Sequence, residues 1–146
     1  MIKRRRKGFT LIELLIVIAI IAILAAIIIA ATGSARKKAR DSRRASDLTE
    51  IANALGLYYD KYGEYPTALS NLTPEFLSQV PTDPLDGSNY GYERGTKNNV
   101  PRVLLRAELE VSGNDLLEGD VDTASNCIDS PSVVTDCNDP YYCICR

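Results

Sequence analysis

The sequence predicts an α+β protein in which one very long N-terminal helix leads into a small antiparallel sheet and a loop-rich, disulfide-linked C-terminus. Three observations predict it. Eighteen consecutive residues, Leu14 to Ala31, are apolar and contain no proline or glycine. Helical spacing of three and four then continues through Leu48, Ile51, Ala52, Leu55, Tyr58, Tyr59 and Tyr62. Further on, Val103, Leu105, Ala107, Leu109 and Val111 alternate with Leu104, Arg106, Glu108 and Glu110, which is the period of a strand.

With Phe9 to Glu13 in front of it, the apolar run has 23 residues. As a helix it measures roughly 34 Å, enough to cross the hydrocarbon core of a bilayer. The next stretch is amphipathic, with Asp47, Glu50, Asn53 and Asp60 opposite the apolar positions. Gly63, followed by Pro66, reads as the stop. One helix is therefore expected from about residue 10 to residue 62, roughly 80 Å long. Residues 9–33 would be a protruding transmembrane half, and residues 34–62 would pack on the sheet. Gly33-Ser34 is the one place where the helix could bend.

Residues 63–146 form the remaining domain. Thr73 as cap and Pro74 in the first turn predict a short helix to about Gln79. The segment Val80 to Gly87 is dense in turn formers. The strand around Val103 to Val111 should turn its apolar set toward the helix and its charged set toward water. Tyr90 to Arg94 should pair with it across the loop Gly95 to Asn99, and a third strand is expected at Val133 to Thr135 or at Tyr141 to Ile144.

Charge is unevenly spread over the 146 residues, whose net charge is −2. Five cations fall in residues 3–7, and the rest of the chain holds 12 Lys/Arg against 19 Asp/Glu, a charge of −7. Beyond Ala107 there are nine acids and one base, Arg146. An acidic domain is a poor partner for nucleic acid. With no His, the commonest general base and metal ligand are both missing, and no other nucleophile and base stand at useful spacing. A catalyst is not expected.

The basic block passes directly into the apolar run as Lys3-Arg4-Arg5-Arg6-Lys7-Gly8-Phe9-Thr10-Leu11-Ile12-Glu13. An acid inside a membrane-length segment is costly without a partner, so Glu13 is a functional candidate. A secretory peptide would have a shorter apolar region and a cleavage site after it. A plain membrane anchor would not call for the acid. Gly8 to Glu13 resembles, residue for residue, the prepilin signature of type IV pilins and of the pseudopilins of type II secretion. That resemblance implies a pilin-like fold and a leader of residues 1–8. A prepilin peptidase would cut after Gly8, and Phe9 would become the methylated N-terminus. The new amine of one subunit would meet Glu13 of its neighbour in a filament of packed N-terminal helices. Many pilins carry a helix-breaking proline mid-segment, which this chain lacks. The stretch Tyr62 to Tyr92, with its prolines and tyrosines, is similar to the connector of major pseudopilins and short pilins.

The expected protein is thus a structural subunit of a type IV pilus-type filament serving adhesion, motility or DNA uptake. The alternative is a pseudopilin driving protein export, and a further one is an anchored extracellular binding module that does not polymerise. Implied partners are the prepilin peptidase, copies of the chain and other pilin-like subunits, an inner-membrane assembly platform, and the lipid bilayer before assembly. The N-terminus would be cytoplasmic and the domain outside. Residues Arg36, Lys37, Lys38, Arg40, Arg43 and Arg44 oppose that orientation, but the leader block is denser and lies first. This second basic cluster reads as a solvated helix face, or as a contact for lipid headgroups or acidic neighbouring subunits.

The resemblance also implies calcium binding in a loop between strands. Candidate ligands are Asp83 and Asp86, or Asn114, Asp115, Asp120 and Asp122, although Asp beside Pro, Gly or Ser commonly only caps a turn. No other cofactor is expected. The four cysteines, Cys127, Cys137, Cys143 and Cys145, all fall in the last 20 residues. Outside the cytoplasm an even count predicts disulfides rather than a zinc site, for which the spacing lacks paired knuckles. Cys143 and Cys145 are too close along a strand to bond each other. That leaves 127–143 with 137–145, or 127–145 with 137–143.

Overall fold

The computed structural model of the protein describes residues 9–118, 120, 123–132, 134, 137, 138 and 140–146. The chain divides into two compact units with the boundary after Arg36. Helix α1, Leu11–Tyr62, passes through Gly33 and Ser34 without interruption. It ends where expected. Gly63 takes a positive φ of 75°, and its N–H donates to the Tyr59 carbonyl at 2.8 Å. That left-handed conformation closes the helix and suits glycine.

In the first unit the large apolar side chains of α1, from Leu11 to Ile29, are exposed. The stretch is long and apolar enough to cross a membrane. Its sequence is apolar on every side, so no single stripe faces a core.

In the second unit three antiparallel strands, β1 (Gly91–Lys97), β2 (Val100–Glu108) and β3 (Tyr141–Cys145), lie in that order. The β1–β2 hairpin is longer than the sequence suggested. Pairing runs from Gly91↔Arg106 to Lys97↔Val100, so the turn is only Asn98-Asn99. Both asparagines have positive φ, 52° and 65°. Two left-handed residues in succession match the twist of a tight hairpin, and Asn tolerates that conformation. Of the two candidate third strands it is Tyr141–Cys145 that pairs with β2, from Leu104↔Cys145 to Glu108↔Tyr141. Val133 and Thr135 of the other candidate lie outside the described residues.

One face of the sheet meets α1. Leu48, Ile51 and Leu55 of the helix are fully buried with Val103 and Leu105 of β2, and with Leu72 of the connector. Each such side chain contributes about 1.5–3 kcal/mol of burial. The expectation that the other face is simply solvated is corrected. Leu104 on that face is fully buried beneath Ala124, Cys127 and Ile128, where the short helix α2 (Ala124–Cys127) lies, and beneath Val134, Cys137 and Cys143. The alternation of β2 could not reveal this cover, because it is built from a polar segment. Two features of β1 make room for it. Gly95 has no side chain where the Ile128 methyl packs. The buried Glu93 carboxylate accepts from the N–H of Ser132 at 2.5 Å, its hydroxyl at 2.8 Å and the N–H of Val134 at 2.8 Å.

The helix expected at Pro74–Gln79 does not form. A 3₁₀ turn, Leu69–Leu72, precedes it instead. The Thr73 hydroxyl donates back to the Ser70 carbonyl at 2.9 Å, closing the turn before it rather than capping one after it. The N–H groups of Phe76 and Leu77 then converge on one carbonyl, that of Leu72, at 2.8 and 3.0 Å. A shared acceptor makes a single turn, not a propagating helix.

Candidate functional site

The candidate processing and assembly residues fall, in sequence, around the start of α1. Gly8 is outside the described residues. Phe9 is 83% exposed. Thr10 caps the helix together with Glu13, three residues on. The Glu13 Oε2 accepts from the Thr10 N–H at 2.9 Å and from its hydroxyl at 2.8 Å, and the Thr10 Oγ1 accepts from the Glu13 N–H at 3.3 Å. This is a reciprocal capping box, which satisfies donors that a helix start leaves open. Its signal, Thr-x-x-Glu, stands in the sequence as Thr10-Leu11-Ile12-Glu13. The second oxygen, Oε1, accepts no hydrogen bond among the described residues, so the carboxylate can cap its own helix and still meet a cation. Glu13 is also the sole charged residue between Phe9 and Arg36. Near the other end of the run, the Thr32 hydroxyl donates to the Ile28 carbonyl at 2.7 Å and is satisfied within the helix.

The basic cluster is not wholly a solvated face. Arg40 donates through Nε and Nη2 to both oxygens of Glu110, at 2.6 and 2.7 Å. Arg44 is buried, and grips both oxygens of Asp83 at 2.6 and 2.9 Å, Asp41 at 2.7 Å and Glu110 at 3.0 Å. Asp41, fully buried, accepts the N–H groups of Glu110 and Val111 at 2.9 and 3.1 Å. The expectation of a water-facing Glu110 is corrected in the same way. Its pKa falls to about 2, chiefly because Arg40 hydrogen-bonds the charged form, with Arg44 adding to it. The guanidinium of Arg44 lowers Asp83, and Asp83 in turn raises Arg44. Asp47, expected on the polar face, instead accepts from the buried Tyr90 hydroxyl at 2.8 Å. This network clasps the loops after β2 and before β1 to the helix. Nothing in the spacing of the acids pointed to it beyond the pair Asp41 and Arg44, one turn apart.

Asp83, Asp86, Asn114 and Asp120, among the calcium candidates, each have another hydrogen-bonding role. Asp83 is engaged by Arg44 and by the N–H of Leu85 at 2.8 Å, and Asp86 accepts from the N–H of Ser88 at 2.8 Å. Asn114 caps the 3₁₀ turn Asp115–Leu117, and Asp120 accepts from the N–H of Cys143 at 2.9 Å, on β3. Asp122 lies outside the described residues. Among the described residues no group of three or more His, Cys, Asp or Glu side chains is placed to hold a metal. The cysteines settle between the two open pairings. Cys127 bonds Cys145 and Cys137 bonds Cys143, with Cα separations of 5.6 and 5.8 Å.

The family model of the prokaryotic N-terminal methylation motif matches residues 3–29. The type II secretion system core protein G of Dickeya chrysanthemi is 32% identical over 109 residues, covering 75% of this chain and 69% of that protein. The chain belongs to the family of type II secretion system core protein G. The core protein G of Vibrio cholerae is 33% identical over 127 residues, covering 75% of this chain and 86% of its own length. That of Escherichia coli is 35% identical over 89 residues, and the match spans 60% of its length. No solved structure matches the chain. Membership of the core protein G family makes the chain a pilin-like protein with a prepilin-type N-terminus, anchored through its apolar helix. It favours the export alternative over the type IV pilus first expected.

Proposed function

We propose that this chain is a pseudopilin, a non-catalytic structural subunit of a type II secretion system that polymerises through its N-terminal helix. A prepilin peptidase removes residues 1–8, and Phe9 becomes the methylated terminus. Before assembly the apolar run sits in the inner membrane, with the leader in the cytoplasm and residues 37–146 outside. During assembly the amine of one subunit pairs with Glu13 of the next. In an apolar filament core an unmatched charge is heavily disfavoured, so the pair sets axial register. Partners are the peptidase, other copies and pilin-like subunits, and an inner-membrane platform. No cofactor is needed for this role.

One observation carries the reading. Core protein G relatives of three bacteria are 32–35% identical to the chain, its residues 3–29 match the N-terminal methylation motif, and Glu13 is the lone charge in a run of exposed apolar side chains. Removing the chain from its host is expected to block release of exported proteins while long surface fibres persist. Loss of surface fibres with export intact would return the pilus reading. Subunits bearing Glu13→Ala alone are expected to stay in the membrane without polymerising, which fractionation and microscopy read directly.

A further inference from the structure

The second basic cluster divides into two kinds of cation. Arg40 and Arg44 are neutralised by Glu110, Asp83 and Asp41. Arg36, Lys37, Lys38 and Arg43 are exposed, and none makes a hydrogen bond or ion pair among the described residues. Beyond Arg44, six cations face 17 acids, and most are engaged. Lys61 pairs with Glu75 and Lys97 with Asp129. Arg94 and Arg146 donate to Tyr65 and Asn53, and Arg106 lies over the Tyr141 ring, leaving Arg102 as the exception. Exposed cations with no hydrogen bond or ion pair among the described residues are therefore concentrated in the turns that follow the apolar run, Arg102 being the one elsewhere.

We propose that Lys37, Lys38 and Arg43 bind anionic phospholipid headgroups on the side of the bilayer that carries the folded domain. The proposal rests on the preceding one only in placing the apolar run in a bilayer. Lys37 is six residues beyond Ala31 along α1, about 9 Å of helix, just past the depth where lipid phosphates lie. Arg43 is about 18 Å beyond it, so screening weakens its share. Lysines near an anionic surface are attracted within a Debye length, and phosphate is the acceptor both side chains suit. A second copy's acidic surface is the competing partner. It would not explain why three of the helix's four partnerless cations, Arg36, Lys37 and Lys38, fall within seven residues of the run while Arg44 and Lys61 further along the helix are engaged within the chain.

The test reconstitutes the full chain in phosphatidylcholine vesicles with and without phosphatidylglycerol. Spin-labelled lipids report which headgroup is held at the protein surface. Residues 3–7 and Arg36 are neutralised in every sample, so that neither the leader nor the neighbouring cation contributes. Expected is a preference for phosphatidylglycerol on the order of fivefold, lost in high salt. Lys37→Gln with Lys38→Gln should remove most of it and Arg43→Gln less, whereas exchanging Lys for Arg should preserve it. An unchanged preference in the triple Gln variant overturns the proposal while leaving the pseudopilin reading intact. So does a loss of energy transfer between labelled copies in pure phosphatidylcholine, which would assign these cations to a second copy. Failure of the chain to float with any vesicle overturns the proposal together with the membrane placement beneath it.

Discussion

Between Leu11 and Ile29 the large apolar side chains stand 47–82% exposed, whereas Leu48, Ile51 and Leu55 further along the same helix are wholly buried. The first stretch is apolar all round, and its large side chains are exposed among the described residues. The second is apolar on one face only, and that face is matched by Leu72, Val103 and Leu105. Polar groups follow the same division. In the first unit a single carboxylate caps its own helix with one oxygen to spare. In the second, buried Asp41, Arg44 and Glu93 are each met by several partners. Folding of residues 37–146 and the proposed assembly would therefore rest on different residues, and each could be perturbed without the other.

The largest expected effect on folding comes from Arg44. Arg44→Met leaves Asp41 and Asp83 without their cation, and removing one partner of a buried network costs about 3–5 kcal/mol. Denaturant unfolding of the full chain in detergent measures it, and a cost below about 1 kcal/mol would show that the clasp is not what holds the loops. Replacing Cys127 and Cys145 by Ser is expected to cost about 3 kcal/mol, since their loop encloses 18 residues of separation. Hydrogen exchange should then rise first at Leu104 and its neighbours in β2, and a uniform rise would contradict a tail that covers one face.

Acid should weaken the second unit selectively. Arg40 and Arg44 depress Glu110, and Arg44 depresses Asp83, so both carboxylates favour the folded state while charged. That contribution is complete above the unfolded carboxylate range near pH 4–5, and it is lost as pH falls toward the folded value of Glu110, about 2. The unfolding midpoint should hold steady from pH 8 to 5 and fall below that, and Glu110→Gln should flatten the fall. The smallest effect is expected in the first unit. Ile18→Ala should change unfolding of residues 37–146 by less than about 0.5 kcal/mol, as for an exposed side chain outside that unit. A larger change would break the division between the two regions.

What was legible in the sequence follows the same line. The helix, its end at Gly63 and the central strand were readable because periodicity and a stop signal are local. Glu13 was legible as a candidate because a charge in an apolar run is conspicuous. The length of the hairpin was not, since Gly95 read as part of a loop when its role is to admit Ile128. Nor was the second buried layer, because Leu104 interrupts the charged set of β2 by only one residue. The Arg44 clasp joins positions 39 and 66 residues apart, a long-range pairing that spacing cannot disclose. The cysteine pairing needed β3 to be placed beside β2 before one of two patterns could be chosen.

The division of labour between the two units is tested most directly by the mass of the native polypeptide's N-terminal peptide, taken from membranes of cells that make the whole system. A peptide starting at Phe9 and carrying one added methyl group is the result expected of a subunit whose exposed helix is finished by its neighbours. A peptide starting at Met1, from chains that remain single in the bilayer, would contradict it.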